Sequence, residues 1–310
     1  MSYHVPVMAR ESLEYLAIRP DGTYVDATFG GGGHSRLILE QLGPQGRLVA
    51  FDQDPDAQGN LPEDERLLFA PANFRHLKRY LRLFGIRQID GLLADLGVSS
   101  HQLDIPERGF SFRYNAELDM RMDPAQEVTA AVILAQASGE ELQHILGSYG
   151  EVRNARTLAL QLVQTRDKAP LRTIADLIAV AEPLARGQRN RYLAQVFQAL
   201  RIAVNDEMGA LEEMLEQAAD VLRPGGRLVA ISYHSLEDRL VKNVLKTGNA
   251  AGQVNKDFYG HIYRPFSLLN KKPLEAAAAE VADNPRARSA KLRAGERLDT
   301  QPPAEAPPES

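Results

Sequence analysis

The amino-acid sequence predicts an α/β protein in which a parallel sheet is interrupted by a helical insertion. In the first hundred or so residues, short apolar stretches alternate with helical ones. From about Asp104 to about Arg189 helical patterns dominate, with no strand pattern of comparable quality, and a strand pattern returns near Gly226. Alternating strands and helices are typical of a parallel sheet covered by helices on both faces.

The elements before the insertion can be assigned in order along the chain. Strands are predicted for the stretches TYVDAT, GRLVAFD, RLLFAPAN and IDGLLADLG. Helices are predicted for HSRLILEQL and for the amphipathic stretch FRHLKRYLRLF. Each helix lies between two strands, as the crossover connections of a parallel sheet require.

The insertion is predicted to be entirely helical. Its patterns include VTAAVILAQASGEELQHIL and TIADLIAVAEPLA, followed by one long helix with an apolar stripe. That stripe consists of Leu193, Val196, Phe197, Leu200, Val204, Met208, Leu211 and Leu215. Pro224 and Gly225 are predicted to end the long helix, and GRLVAIS to resume the sheet.

These patterns predict a domain organisation in several segments. Residues 1–104 and 201–298 form one α/β domain, and residues 105–200 form the inserted helical domain. The second α/β segment carries a basic stretch at 285–297. Residues 299–310 are rich in proline and acidic residues, and this composition predicts a disordered tail.

Composition excludes several classes of protein. The 310-residue chain is 44% hydrophobic and 25% charged, which is ordinary for a globular protein. It has no cysteine, which excludes disulfides and thiolate nucleophiles and makes a structural zinc improbable. No apolar run approaches the roughly 18 residues of a membrane span, and the N-terminus lacks a secretory signal pattern, so a cytoplasmic protein is expected.

A glycine-rich loop followed by an acid indicates an adenosine-type ligand. Residues 30–33 are all glycine and lie between a predicted strand and a predicted helix, where a ligand can approach the backbone. Asp52 ends the second strand, about twenty residues beyond the loop, where a carboxylate can bind a ribose diol. A tight turn without ligand and a solvated strand-end acid are the simpler alternatives.

The residues after the loop argue against a phosphate ligand. A phosphate-binding loop of the Walker type needs a lysine where His34 stands. A dinucleotide loop favours a third glycine where Ser35 stands, so that pattern fits only in part. S-adenosylmethionine needs the close backbone and the ribose acid but has no phosphate, so it is the favoured ligand.

Polar side chains follow two further strands. Asp95 ends the fourth strand, and in an open parallel sheet that position faces the ligand. His234 and Ser235 follow the returning strand, and a helix cap with Ser235 as the N-cap is the simpler interpretation there. The histidines show no metal-ligand spacing, and no metal is predicted.

The motifs taken together resemble one known family. The matching stretches are HVPVM, DATFGGGGHS, FDQDP, DLGVSSHQLD, LDMRMD, YGEVRNAR, FQALRIAVNDE, PGGRLVAISYHSLEDRLVK and NPRARSAKLR. In this order they resemble the bacterial 16S ribosomal RNA (cytosine-N4)-methyltransferases, and they cover almost the whole chain. The resemblance implies a Rossmann-like methyltransferase sheet with an inserted helical domain, S-adenosylmethionine as cofactor, and a homodimer.

The resemblance also implies an activity and a set of site residues. The activity is methylation of the exocyclic N4 amine of a cytosine in the decoding region of 16S ribosomal RNA, in the small ribosomal subunit. The implied cofactor residues are Gly32, Gly33 and His34 at the methionine portion, Asp52 at the ribose, Phe74 at the adenine, and Asp95 and Gln102 as further contacts.

Three features depart from the family pattern. His101 stands where the family usually has proline, and Gln53 stands where a basic residue is common. After DPDA the chain turns to QGNLPEDE, so the helix that normally follows the acid is expected to be shortened. These departures concern the adenine side of the site rather than the reaction.

Elementary chemistry is consistent with an amine substrate. Covalent methylation at cytosine C5 by the usual route needs a thiolate, whereas an exocyclic amine needs alignment with the methyl group and acceptors for its protons. Asp95 is the first candidate acceptor, with the backbone carbonyls of Leu96 and Gly97 as helpers, and His234 is a second candidate for the later proton. Alternatives are an NAD-dependent Rossmann oxidoreductase and a non-catalytic cofactor-binding ribosome assembly factor.

The substrate RNA is expected to contact basic residues. The candidates are Arg286, Arg288, Lys291 and Arg293 near the C-terminus, together with the stretch ARGQRNR of the insertion. An exposed basic helix without a partner is the alternative for the C-terminal group. The target base has to leave its stack to reach the site.

Overall fold

The computed structural model describes residues 6–254 and 263–300. By the contacts within the chain it divides into two compact units, one made of Met1–Gly97 with Gly209–Ser310 and the other of Val98–Met208. The boundaries predicted at 104/105 and 200/201 lie several residues away from these, and the domain assignment stays a prediction. Among the described residues, no helix is both long enough and apolar enough to span a bilayer.

The first unit contains an eight-stranded sheet among its described residues. Its strands are β1 Thr23–Asp26, β2 Arg47–Phe51, β3 Leu67–Ala70, β4 Ile89–Asp95, β5 Leu222–Ser232, β6 Phe266–Leu268, β7 Leu274–Glu275 and β8 Lys291–Arg297. The order is β3-β2-β1-β4-β5-β8-β6, and β7 pairs with β8. The first five strands run parallel, and β8 is antiparallel to β5. The predicted α/β class and its strands are confirmed.

The helices follow in chain order. They are α1 Ala9–Leu16, α2 Gly33–Gln41, α3 Leu77–Leu83, α4 Ser100–Asp104, α5 Ala130–Gln136, α6 Gly139–His144, α7 Ala155–Arg166, α8 Ile174–Ala181, α9 Arg189–Asn205, α10 Glu207–Val221, α11 Ser235–Thr247 and α12 Ala278–Asp283. As predicted, α2 follows the glycine loop and α3 precedes β4. The acid at the end of β2 is followed by a short 3₁₀ segment, Pro55–Asn60, rather than an α-helix.

Strand order places a ligand crevice at the centre of the sheet. From β1 the chain builds outward to β2 and β3, then returns to place β4 on the other side of β1. In open α/β sheets the crevice at such a reversal, beyond the carboxyl ends of the strands, is where ligands bind. Asp26 and Asp95 end the two central strands at this edge.

The core explains why these stretches form strands. Six of the seven residues of β4 are buried, as a strand covered on both faces requires. Tyr24, Leu48, Leu93 and Val229 belong to one apolar cluster with residues of α1, α2 and β8. The continuous apolar stretches in the sequence are therefore the central strands of the sheet.

The second unit is helical and has its own apolar core. Buried residues from successive helices form one cluster, which includes Leu134, Leu158, Leu177, Leu193 and Phe197. An isolated antiparallel bridge joins Glu117 to Thr173. The helical patterns of the insertion therefore pack against one another, as their apolar stripes require.

Two helical predictions need correction. The predicted long helix is divided into α9 and α10, because Asp206 adopts a left-handed conformation with φ of 46° and its backbone N–H closes α9 on Ile202. Asp is among the few non-glycine residues that adopt this conformation readily. The predicted end of this long helix at Pro224 and Gly225 is also wrong, because α10 ends at Val221 and both residues lie within β5, Leu222–Ser232.

Candidate active site

The turn between β1 and α2 explains the run of glycines position by position. Gly30 and Gly32 have φ values of 52° and 74°, in the left-handed region that favours glycine. A Cβ on Gly32 would also lie 2.8 Å from Cζ of Phe29, whereas a Cβ on Gly31 would meet nothing within 4 Å. Gly30 and Gly32 are thus required by the left-handed backbone of the turn, whereas the absence of a side chain at Gly31 leaves open space beside the backbone.

The loop is held in place by hydrogen bonds to its carbonyl groups. Arg36 Nη1 donates to Gly31 O at 2.7 Å, and Asn60 Nδ2 donates to Gly30 O at 3.1 Å. Arg36 Nη2 also donates to the carbonyl of Asn60 at 2.6 Å, which links the two anchors. Side chains of the protein itself therefore hold the loop in its turned conformation.

Asp52, the acidic residue that directly follows β2, is hydrogen-bonded to the glycine loop. Its Oδ2 accepts a hydrogen bond from Gly30 N at 2.7 Å, and its Oδ1 accepts one from Asp54 N at 2.8 Å. Burial raises the pKa of Asp52 to about 6, although both backbone donors lower it. Each carboxylate oxygen retains capacity for a second donor, so this group can also accept from a ligand.

Asp26 is a second carboxylate at the carboxyl edge of the sheet, and the sequence analysis did not identify it as part of the site. It is buried, and its Oδ2 accepts from Ser35 Oγ at 2.6 Å. Burial raises its pKa. The available signal was a charged residue at the end of an apolar strand, directly before the glycine loop. Its bond to Ser35 ties the start of α2 to the end of β1.

His34 is buried beneath the segment that precedes α1. Its Nε2 donates to the carbonyl of Val7 at 3.1 Å, and its Nδ1 lies 3.8 Å from Asp95 Oδ2. Met8 N donates to Glu280 Oε1 at 2.7 Å, which holds the same segment in place. The histidine predicted to bind the cofactor thus contacts both the N-terminal segment and the carboxylate of β4.

Asp95 lies at the centre of this cluster. Its backbone N donates to Thr28 Oγ1 at 2.7 Å, and its Oδ1 accepts from the hydroxyl of Tyr233 at 2.7 Å. Its side chain is 22% exposed. Burial raises the pKa of Asp95 to about 6, while His34 and the bond from Tyr233 lower it. Tyr233 was missed from the sequence, because nothing local marks its hydroxyl as directed at β4.

His234 caps helix α11, and the prediction of Ser235 as N-cap is wrong. The Nδ1 atom of His234 accepts from Glu237 N at 3.5 Å, in a capping box that Glu237 completes. Its Nε2 lies 3.1 Å from Glu237 Oε1. Because the ring contacts Glu237 through both nitrogens, the cap accounts for its position, and a catalytic role for His234 stays a prediction.

Phe74 begins a 3₁₀ turn, Phe74–His76, shortly after β3 and is half-buried. Asn73 caps this turn by accepting from Arg75 N at 2.9 Å, and its Nδ2 donates to Gln53 Oε1 at 3.0 Å. Gln53, which departs from the family pattern, therefore links this turn to the residues after β2. That link places Phe74 and Asp52 on adjoining segments.

Gln102 lies in the second unit and is buried. Its Oε1 accepts from Ser99 N at 3.0 Å, and Ser99 Oγ accepts from Gln102 N at 3.1 Å, which forms the capping box of α4. Its predicted contact with the cofactor stays a prediction.

The predicted RNA-binding residues do not form a basic helix. They occupy a 3₁₀ segment, Pro285–Ser289, and strand β8. Arg288 is exposed, and Arg286 and Lys291 are half-buried. Arg293 is 7% exposed and donates to both oxygens of Asp238, at 2.6 and 3.0 Å. This buried pair joins β8 to α11 and accounts for the position of Arg293, whose contact with RNA stays a prediction.

Comparison with known proteins gives matches along nearly the whole chain. The sequence pattern of the MraW methylase family matches residues 1–298. A protein of Parabacteroides distasonis is 55% identical over 298 residues, covering 96% of this chain and 98% of that protein. Proteins of Bacteroides thetaiotaomicron (52%, covering 96% and 98%) and Cytophaga hutchinsonii (54%, covering 95% and 99%) are similarly close. All three are named ribosomal RNA small subunit methyltransferase H.

Proposed function

Because the chain belongs to the MraW methylase family, we propose that it methylates the exocyclic N4 amine of a cytosine in the decoding region of 16S ribosomal RNA. It is an S-adenosylmethionine-dependent ribosomal RNA methyltransferase, as its family and its relatives' names support. This confirms the main sequence-based hypothesis over the oxidoreductase and the non-catalytic assembly factor. The observation that carries the choice of an amine is the carboxylate of Asp95, an acceptor at the ligand edge of the sheet.

The residues of the first unit fit S-adenosylmethionine. The open space beside Gly31 admits a ligand against the backbone, and Asp52 offers carboxylate oxygens for the ribose hydroxyls. Phe74 provides an aromatic face on the adjoining segment for the adenine. When bound, the cofactor supplies an activated methyl group, and this chain's residues position the amine that receives it.

Asp95 is proposed to accept a hydrogen of the substrate amine. Its Oδ1 already accepts from Tyr233, so we assign the amine to Oδ2, the oxygen that this hydroxyl does not occupy. An ionised carboxylate only accepts hydrogen bonds, so it favours the N4 amine of cytosine and disfavours the O4 carbonyl of uracil. The backbone carbonyls of Leu96 and Gly97 are proposed as additional acceptors.

The proposal is tested by methyl incorporation into small subunits from cells that lack the enzyme. Purified protein and radiolabelled S-adenosylmethionine should produce N4-methylcytidine at one position of 16S RNA. Fully methylated subunits from wild-type cells serve as the control and should accept no label. Label at another atom or base, or none in the unmethylated subunits, would contradict the proposed target. Free 16S RNA assayed in parallel decides whether the assembled subunit is needed, which we propose.

The open space beside Gly31 provides a first test of the cofactor site. We expect Gly31→Ala to leave the thermal stability of the unliganded protein unchanged, because the added Cβ meets no atom within 4 Å. We expect the Kd for S-adenosylmethionine to rise about tenfold, because the methyl group occupies space the ligand needs. Calorimetric titration measures the Kd, and Gly59→Ala, whose Cβ would also meet nothing within 4 Å, is the matched control. Equal affinities for both variants would place the cofactor elsewhere.

Substrate RNA is proposed to bind the C-terminal basic residues Arg286, Arg288 and Lys291, with ARGQRNR of the helical unit as a second contact. Arg288 is the most informative of them, because its side chain is exposed. A homodimer and a cytoplasmic location, where ribosomal subunits are assembled, are also part of this proposal.

We expect Arg288→Ala to weaken RNA binding uniformly across sequences. Loss of the Arg288 side chain should reduce the magnitude of the slope of log K against log salt concentration by about 1, because one fewer phosphate is neutralised. Fluorescence anisotropy with a decoding-region RNA at several salt concentrations measures this slope. Arg47→Ala removes an exposed arginine at the start of β2, at the opposite edge of the sheet, and should leave the slope unchanged. Identical slopes for the two variants would exclude a phosphate contact at Arg288.

A further inference from the structure

Tyr233 donates a side-chain hydrogen bond to Asp95, and its own position is fixed by neighbouring elements. It follows the carboxyl end of β5, which pairs in parallel with β4, so the two strand ends adjoin. Its backbone N donates to Glu237 Oε2 at 2.8 Å, and a Cβ on Gly97 would lie 3.7 Å from its Cδ2. The backbone of Tyr233 is thus tied to α11, and its ring lies close to Gly97 in the segment after β4.

The hydroxyl of Tyr233 is committed to one oxygen of Asp95. It donates to Oδ1 at 2.7 Å, while the other oxygen, Oδ2, lies 3.8 Å from His34 Nδ1. Burial, followed by the charge of Asp95, raises the pKa of Tyr233 well above its usual range. The phenol therefore stays protonated and remains a donor throughout the working pH range.

We propose that Tyr233 is a positioning residue for methyl transfer: its hydroxyl holds Asp95 as an ionised acceptor and leaves Oδ2 for the substrate amine. This inference rests on the proposed function, because it assigns the partner of the proposed acceptor. Unlike Asp95, Tyr233 has no required contact with substrate or cofactor. It acts through the carboxylate.

The electrostatic surroundings explain why such a donor is needed. Burial raises the pKa of Asp95, and the charges of Asp26 from the end of β1 and Glu237 from α11 raise it further. His34 from α2 and the phenol of Tyr233 lower it. Without the phenol, a group that stabilises the ionised carboxylate is lost, and a larger fraction of Asp95 is protonated near neutral pH. A protonated carboxyl presents an O–H donor, and loses its negative charge, where the amine requires an acceptor.

The test compares wild type, Tyr233→Phe and Tyr24→Phe. Tyr24 is the matched control, since its hydroxyl accepts a hydrogen bond from Arg19 N at 2.7 Å near the opposite edge of the sheet. NMR titration of 13Cγ-labelled aspartate in the unliganded proteins measures the pKa of Asp95, whose signal is identified by its absence in Asp95→Asn. We expect this pKa to rise by about one unit in Tyr233→Phe, because a hydrogen bond to the charged form is lost. We expect no change in Tyr24→Phe.

The rate of methyl transfer gives the second readout. The acid limb of the plot of kcat against pH should shift to higher pH by the same amount as the pKa of Asp95. Tyr233→Phe should therefore be less active than wild type at pH 6.5 and regain activity at pH 8.5. An unchanged pKa of Asp95, or a loss of rate that is equal at all pH values, would overturn the inference while the wild type still methylates. If the wild type itself transfers no methyl group, the proposed function fails instead, and the pKa comparison still tests the contact.

A third protein keeps the test decisive if Tyr233→Phe does not fold. Replacing Tyr233 with 3-fluorotyrosine keeps the hydroxyl and makes it a stronger hydrogen-bond donor. The pKa of Asp95 should then fall below its wild-type value. An unchanged value would overturn the inference by itself.

Discussion

We expect Asp95→Asn to lower kcat for methyl transfer by about 100-fold, at the low end of what general base groups contribute. The amide retains one acceptor, but it lacks the negative charge that stabilises the developing positive charge on the amine. The Kd for S-adenosylmethionine should change by less than about tenfold, because Asp95 is only one of the expected cofactor contacts and the ribose and methionine contacts are assigned to other residues. Single-turnover rates and calorimetric titration measure the two quantities.

The pH dependence of the methyl-transfer rate provides a second test of the role of Asp95. Asp95 has a raised pKa of about 6, so it is ionised above that value and protonated below it. The wild-type rate should therefore fall about tenfold for each pH unit below 6, whereas Asp95→Asn should show no such limb. Asp90→Asn is the control, because Asp90 is a buried carboxylate near the amino end of β4 and accepts from Thr23 N at 2.8 Å. It should cost stability and leave the folded enzyme's rate unchanged. Full turnover in Asp95→Asn with normal cofactor binding would exclude Asp95 as the acceptor.

We expect Asp52→Ala to raise the Kd for S-adenosylhomocysteine, the product form of the cofactor, by about 10- to 100-fold. Hydrogen bonds to a charged acceptor contribute about 1.5–3 kcal/mol, which corresponds to this range. Part of the effect comes from the loop, since Asp52 also accepts from Gly30 N at 2.7 Å. The Kd by itself does not separate the two contributions.

A double-mutant cycle with the 2′-deoxy form of S-adenosylhomocysteine isolates the ribose contact. Wild type should bind the deoxy compound more weakly, because a buried acceptor loses its partner. Asp52→Ala should bind both compounds equally, because the acceptor is already absent. A deoxy penalty of equal size in the two proteins would show that Asp52 acts only through the glycine loop.

Much of the fold was predictable because its signals are local. The stretches that end at Asp26 and Asp95 are short and apolar, as strands buried on both faces are, and Gly30 and Gly32 adopt the backbone that their type favours. The family-level function followed from motifs spread along the chain, and the comparisons confirm it. The division of the long helix was missed, since a left-handed Asp206 leaves the apolar stripe unbroken in sequence.

What the sequence by itself determined is therefore the class of fold, the place of the glycine loop between β1 and α2, and the presence of the carboxylates Asp52 and Asp95 at the carboxyl ends of their strands. Only the tertiary structure decided how these groups are paired. Tyr233 reaches Asp95 across 138 residues of sequence, and Arg293 pairs with Asp238, 55 residues away. The physical reason is that strand order and register bring these side chains together, and neither is encoded in the pattern of one segment.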